Sequence, residues 1–209
     1  MNKIGTVATL AAATALLAAC AAMQSTPRER ATKMMERDFH PVGIAGMDRL
    51  KEDAVAAACN KHDDNPPKDV ADKLQAQQYA AVKWPADGKF VGNWKEGEKI
   101  AQRGRGMTWR DKPGKTSRGE PNGGSCYNCH QIGPDTTSFG TIGPSLYNFA
   151  KLRGYGADIQ RYAYAKIYNA KAYSLCSQMP RFGHSGTLTE EQMKDLTALL
   201  MDPASPVNR

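Results

Sequence analysis

The sequence predicts an all-α chain with an N-terminal helical extension, on three observations. Apolar residues recur at three- and four-residue steps in several separate segments, the spacing that lines one face of a helix. Hydroxyl or proline residues open those segments and Pro or Gly closes them, as helix ends require. No pair of alternating apolar and polar runs suggests a hairpin, and no repeat or low-complexity tract is present in the 209 residues.

Residues 1–20 read as a signal segment rather than as part of the fold. Lys3 supplies a positive start, Val7 to Leu17 a short apolar core, and Leu17-Ala18-Ala19-Cys20 a small-residue processing site. That core is shorter than the ~20 apolar residues a membrane span needs. The same four residues resemble a bacterial lipobox, which would lipidate Cys20 and tether a periplasmic protein to a membrane. Two acyl chains or more suffice for stable anchoring. The alternative is ordinary cleavage at a nearby alanine, which discards Cys20.

Residues 21–45 then form a tether, with Ser25-Thr26-Pro27 starting a polar, weakly amphipathic helix to Asp38. Residues 46–90 read as a helical extension. Leu50, Ala54 and Ala58 line a helix from Met47 to Cys59, and Asn65-Pro66-Pro67 breaks it. Val70, Leu74 and Gln78 mark a second helix, which Trp84-Pro85 ends. Residues 91–209 form the last domain. A short helix spans Lys95 to Arg103, and a glycine-rich segment from Gly104 to Gly124 reads as a surface insertion. A longer helix covers Gly156 to Ala170. Thr189 and Gln192 have capping-box spacing ahead of the apolar stripe Met193, Leu196 and Leu200, and Asp202-Pro203 stops that helix.

Cys126-Tyr127-Asn128-Cys129-His130 carries the chemistry. C-x-x-C-H is the attachment signature of c-type haem: two thiols add across the vinyl groups and the histidine falls beneath the iron. A zinc site needs a second ligand pair, which the sequence lacks. The expected cofactor is therefore one covalent haem c, bound through Cys126 and Cys129, with His130 as one axial ligand. Met179 is the candidate for the other, since it lies in Cys176-Ser177-Gln178-Met179-Pro180-Arg181-Phe182-Gly183, a Pro/Gly-punctuated loop rather than a helix face. His184, His40 and His62 are the alternatives. The carbonyl of Pro144, in Ile142-Gly143-Pro144-Ser145-Leu146, is placed to accept from the proximal ring. Leu146 and Phe182 are expected to pack near the haem. Ligation by His and Met favours electron transfer over oxygen chemistry.

The five cysteines and the formal charge of +7 bound the remainder. With Cys20 and the haem pair set aside, Cys59 and Cys176 remain, and an oxidising compartment favours their disulfide. A bond to a partner and free thiols are the alternatives. Lysines and arginines cluster just before the motif, from Lys95 to Arg118. They form either a solvated face or a collar that steers acidic partners or small anions. Nucleic acid is excluded as a partner by export and haem together.

Three segments resemble the mono-haem sulfur-oxidation cytochromes, the SoxX family. They are Ser125 to His130 with Ile142 to Leu146, then Gln178 to Gly183, then Leu199-Leu200-Met201-Asp202-Pro203-Ala204-Ser205-Pro206-Val207-Asn208. The first is common to most class I cytochromes c, and the tail is the most specific. The resemblance implies a class I cytochrome c fold and a role in the SoxAX complex of thiosulfate oxidation. There a SoxA-like subunit would join thiosulfate to a cysteine of a SoxYZ-like carrier, an L-cysteine S-thiosulfotransferase reaction. This chain would relay the electrons to a small c-type cytochrome and supply no catalytic residue. Two rivals are a generic lipid-tethered electron carrier and a haem enzyme or sensor with an open sixth position.

Overall fold

Asp53 decides where the folded extension begins. Its carboxylate accepts the Ala56 N–H at 2.8 Å and starts a helix there, whereas Gly46 offers no side-chain cap to the residues after it. The computed structural model of the protein describes residues 25–106 and 108–209. Among them are seven α-helices, three short 3₁₀ turns and isolated bridges without a sheet. The signal segment with Cys20, and residues 21–24 of the tether, lie outside the described residues.

Two units divide the chain between His40 and Pro41. In the first, helix α1 covers Pro27–Asp38. Thr26 and Glu29 form a capping box, each side chain accepting the other's backbone N–H, and Pro27 fills the first turn where no donor is needed. No residue of α1 is buried.

The second unit holds everything else. Its elements are a 3₁₀ turn at Met47–Leu50, α2 at Ala54–Lys61, α3 at Lys68–Ala80, α4 at Trp94–Gln102, α5 at Phe149–Arg153, α6 at Ala157–Tyr168 and α7 at Glu190–Met201. The helix expected from Met47 is thus split by the Asp53 cap. The five-residue α5 has too short a pattern to be read from sequence. Among the described residues no helix is long and apolar enough to cross a membrane.

Helix α4 crosses α7 at Gly97, where a Cβ would fall onto the Asp195 carbonyl. Contact at backbone distance lets Gly92 N–H reach the Lys194 carbonyl at 3.0 Å and Asn93 N–H reach Asp195 Oδ1 at 2.7 Å. Residues 193–201 of α7 are all buried, not only the expected stripe. Lys194 is accommodated by Glu190 at 2.9 Å and Asp87 at 3.2 Å. The Thr189–Gln192 capping box that opens α7 is formed on both sides.

The glycine-rich stretch before the motif lies largely at the surface, as expected, but is pinned to the fold at buried points. Asp111, Thr116 and Asn122 are buried, Gly114 N–H bonds the Gly186 carbonyl, and Asn122 Nδ2 donates to the Thr187 carbonyl at 2.8 Å. Polar turn residues look alike in sequence whether water or a carbonyl receives their N–H groups, and here carbonyls of the protein receive those of Gly114 and Asn122.

Candidate functional site

The thiol motif leaves α4 through a tight turn. Gly124 N–H bonds the Ile100 carbonyl at 2.8 Å, Ser125 takes a left-handed conformation with φ of 50°, and Cys126–Asn128 wind into a 3₁₀ turn. Cys129 N–H and His130 N–H both return to the Cys126 carbonyl, at 3.1 and 2.9 Å. Cys126 and Cys129 are free and are not bonded to each other. Burial pushes the Cys126 thiol up to about 12.

The segment that follows wraps the motif. Gly140 N–H bonds the Tyr127 carbonyl and Gly143 N–H the Cys129 carbonyl, while Leu146 N–H reaches the Gln131 carbonyl. His130 Nδ1 then lies 2.6 Å from the Pro144 carbonyl oxygen. A carbonyl only accepts, so Nδ1 carries a proton and Nε2 is the nitrogen left to face a ligand. Gly143 makes room for this arrangement: a Cβ there would lie 2.7 Å from His130 Nε2 and closer still to Cε1. In the sequence Gly143 is part of a turn, and its real constraint is the ring beside it. Gly143→Ala is therefore expected to break the His130–Pro144 hydrogen bond and cost about 1–3 kcal/mol. Nitrogen-15 NMR of the ring would show a single-tautomer Nδ1–H signal giving way to exchange between tautomers. An unchanged signal with unchanged stability would remove the constraint.

The tail holds this region from behind. Asn208 Nδ2 donates to the Leu200 and Asp202 carbonyls, and its Oδ1 accepts the Ala150 N–H at 3.0 Å. Ser205 Oγ donates to the Leu199 carbonyl at 2.7 Å. Ser205, Val207 and Asn208 are buried, so the Asp-Pro-x-Ser-Pro-Val-Asn segment is a fastener joining α7 to α5.

Met179 is half-buried in the loop between α6 and α7, with its N–H on Ser177 Oγ at 3.2 Å. It packs against the main core cluster, as do Cys126 and Leu146, and Phe182 is a member of that cluster. Gly183 and His184 N–H groups share the Tyr168 carbonyl, fixing the loop's far end to α6. Burial, assisted by Arg181 and Arg49, pushes the His184 imidazole below its ordinary range. The Cys59–Cys176 disulfide is present, with the two Cα atoms 5.6 Å apart. It sits with Val55 and Leu175 in a second, smaller cluster.

A cavity of about 360 Å³ opens beside Tyr127, lined also by Glu98, Gln102, Asp135, Thr137 and Arg209; neither thiol of the motif, nor His130, nor Met179 borders it. On the basic stretch, Lys99 pairs with Glu96 at 2.7 Å and Arg105 with Glu120 at 2.9 Å. These exposed pairs are screened by solvent and blunt the basic character expected from sequence. His40 is exposed in the first unit and His62 caps the end of α2.

Free thiols at this spacing, a histidine with one nitrogen tied to a carbonyl, and a half-buried methionine on the same core form a donor set that suits covalent haem. No protein-family model matches the chain. The chain is similar, at 38% identity over 143 residues or 68% of its length, to a protein of Aquifex aeolicus (strain VF5) described as an uncharacterized lipoprotein. The matched stretch spans 64% of that relative's length.

Proposed function

We propose that this chain is an exported mono-haem c-type cytochrome of class I fold, acting as the electron-relay subunit of a SoxAX-type thiosulfate-oxidising complex. The observation that carries the haem reading is the His130 ring, held by the Pro144 carbonyl one residue after a pair of free thiols. Cys126 and Cys129 would hold the porphyrin by thioether bonds, and His130 Nε2 and the Met179 sulfur would be the protein ligands to its iron. When bound, haem supplies reversible one-electron redox chemistry. The residues around it have separate tasks. The Pro144 carbonyl orients the proximal ring and raises its basicity. Gly143 leaves the ring its space, and Phe182 and Leu146 keep water from the redox centre.

The sulfur-specific part rests on the likeness of the Met179 loop and of the tail to the SoxX family. On that reading the partners are a SoxA-like subunit, a SoxYZ-like carrier reached through the complex, and a small c-type cytochrome as acceptor. Lipid attachment at Cys20 and periplasmic location are supported by the lipobox-like sequence and by the lipoprotein description of the Aquifex relative.

Production of the full chain with a cytochrome c maturation system tests the haem reading directly. Haem should stay on the chain in a denaturing gel, and Cys126→Ser with Cys129→Ser should abolish that signal. A chain that emerges colourless would refute it. Mild purification from native membranes should then recover a second c-type cytochrome in equal amount, and thiosulfate should reduce the haem only with that partner and its carrier present. A lone haem protein that thiosulfate cannot reduce with both added would leave a general tethered electron carrier.

A further inference from the structure

Met179 lies in a loop gripped on both sides by one short helix of the extension. Three residues before it, Cys176 is bonded to Cys59 on α2. Two residues after it, Arg181 donates to Asp53 Oδ2 at 2.8 Å. Asp53 caps the N-terminus of α2 with its other carboxylate oxygen, so one side chain anchors the helix and the loop together. Cys59 is 4% exposed and the Arg181 side chain 22%, which places both grips at the edge of packed structure rather than in free solvent. The far side of the clamp is itself fixed. Helix α3 packs on the same small cluster through Ala71 and Leu74, and Gln78 near its end accepts from the buried Asn169 at 3.0 Å.

Between the two grips the chain has little structure of its own. Neither a helix nor a strand covers residues 174–189, and Met179 N–H is held only by the hydroxyl of Ser177 two residues earlier. Where the loop supplies few constraints, its anchors set the position of the side chain it carries.

We propose that α2 is a positioning clamp for Met179, with Asp53 and Arg181 as positioning residues and the Cys59–Cys176 bond as a link that dithiol reductants can open. The inference rests on the reading of Met179 as an axial ligand. In the opening step a dithiol reductant attacks the sulfur–sulfur bond through a mixed disulfide. Its two electrons and two protons pass to Cys59 and Cys176, which become thiols, and the reductant leaves as a closed disulfide. Of the two grips from α2 only the Arg181–Asp53 pair then remains, with Gly183 and His184 still on the Tyr168 carbonyl. Met179 spends more time away from the iron, and a competing ligand gains in apparent affinity by the fraction of open loop.

The test uses the full, haem-loaded chain in four forms: native, Cys59→Ser, Asp53→Asn, and the double variant, with Asp87→Asn as a control that cuts the remote Asp87–Lys194 pair. Three quantities are read: the methionine-to-iron charge-transfer band of the oxidised protein, the affinity for added imidazole, and hydrogen exchange of residues 176–183. The double variant should weaken the band, bind imidazole about tenfold more tightly and exchange faster across 176–183, with Asp87→Asn unchanged in all three. Dithiothreitol added to native protein should reproduce Cys59→Ser. Unchanged band, imidazole affinity and exchange in the double variant would overturn the clamp. A native protein without the methionine band, whose 176–183 exchange still accelerates in the double variant, would instead overturn Met179 as ligand and leave the grip on the loop standing.

Discussion

Cys59→Ser is expected to lower the thermal unfolding midpoint of the full chain by roughly 8–20 °C. The bond joins residues 117 apart in sequence, and a loop of that order is worth about 4–5 kcal/mol through the entropy it removes from the unfolded chain. For a chain of this size each kcal/mol moves the midpoint by about 2–4 °C. The cross-link also closes a small cluster of Val55, Cys59 and Leu175 that stands apart from the main core. Scanning calorimetry of native protein, of native protein in reductant and of the variant should give two coincident lowered curves. A drop below about 2 °C would mean that packing against α3 and the Asp53–Arg181 pair holds the extension without the bond.

Gly97→Ala is the second large effect, and its sign is diagnostic. Helix propensity alone makes alanine about 0.8–1 kcal/mol better than glycine inside α4. The crossing predicts the opposite. A Cβ at residue 97 would meet the Asp195 carbonyl, with the carbonyl carbon at 2.6 Å and Leu196 N at 3.1 Å, and backbone cannot rotate aside. The helices must part, which strains the Asn93–Asp195 and Gly92–Lys194 hydrogen bonds and loosens Ile100 and Leu196 in the core. A loss of about 1–3 kcal/mol for alanine, and more for valine, should appear in urea unfolding. A stabilised alanine variant would show that α4 and α7 do not pack at backbone distance.

Short-range chemistry was the legible part of this chain. Thr189 and Gln192 sit three residues apart, and a capping box needs only that spacing, so α7 starts where its sequence says. Ser25-Thr26-Pro27 likewise marks the start of α1, while the part Glu29 plays in its cap came from the structure. With Cys20 and the motif pair set aside, two cysteines are left, and Cys59 and Cys176 form the expected bridge. The Pro144 carbonyl beside His130 was also within reach, because a turn that returns to the motif presents only a few carbonyls to the ring.

Other features were illegible because their causes are distant in sequence. Nothing near Arg181 announces that its partner is Asp53, which is separated from it by 128 positions. Asn122 looks like a turn residue exposed to water, and only the approach of residues 186–187 gives its amide a buried partner. Gly97 and Gly143 read as a weak helix residue and a turn residue, yet each is required by an atom of a remote segment.

The sequence by itself determined the helical character of this protein, the cap of its last helix, its pair of free thiols with the adjoining histidine, and the cysteines available for a bridge. Each follows from spacings of a few residues or from simple counting. Only the tertiary structure decided that α4 and α7 meet backbone to backbone, that the tail fastens α7 to α5, and that one helix of the extension grips the Met179 loop on both sides. Those depend on which surfaces close on one another, and burial and hydrogen-bond pairing across a hundred residues are satisfied together or not at all.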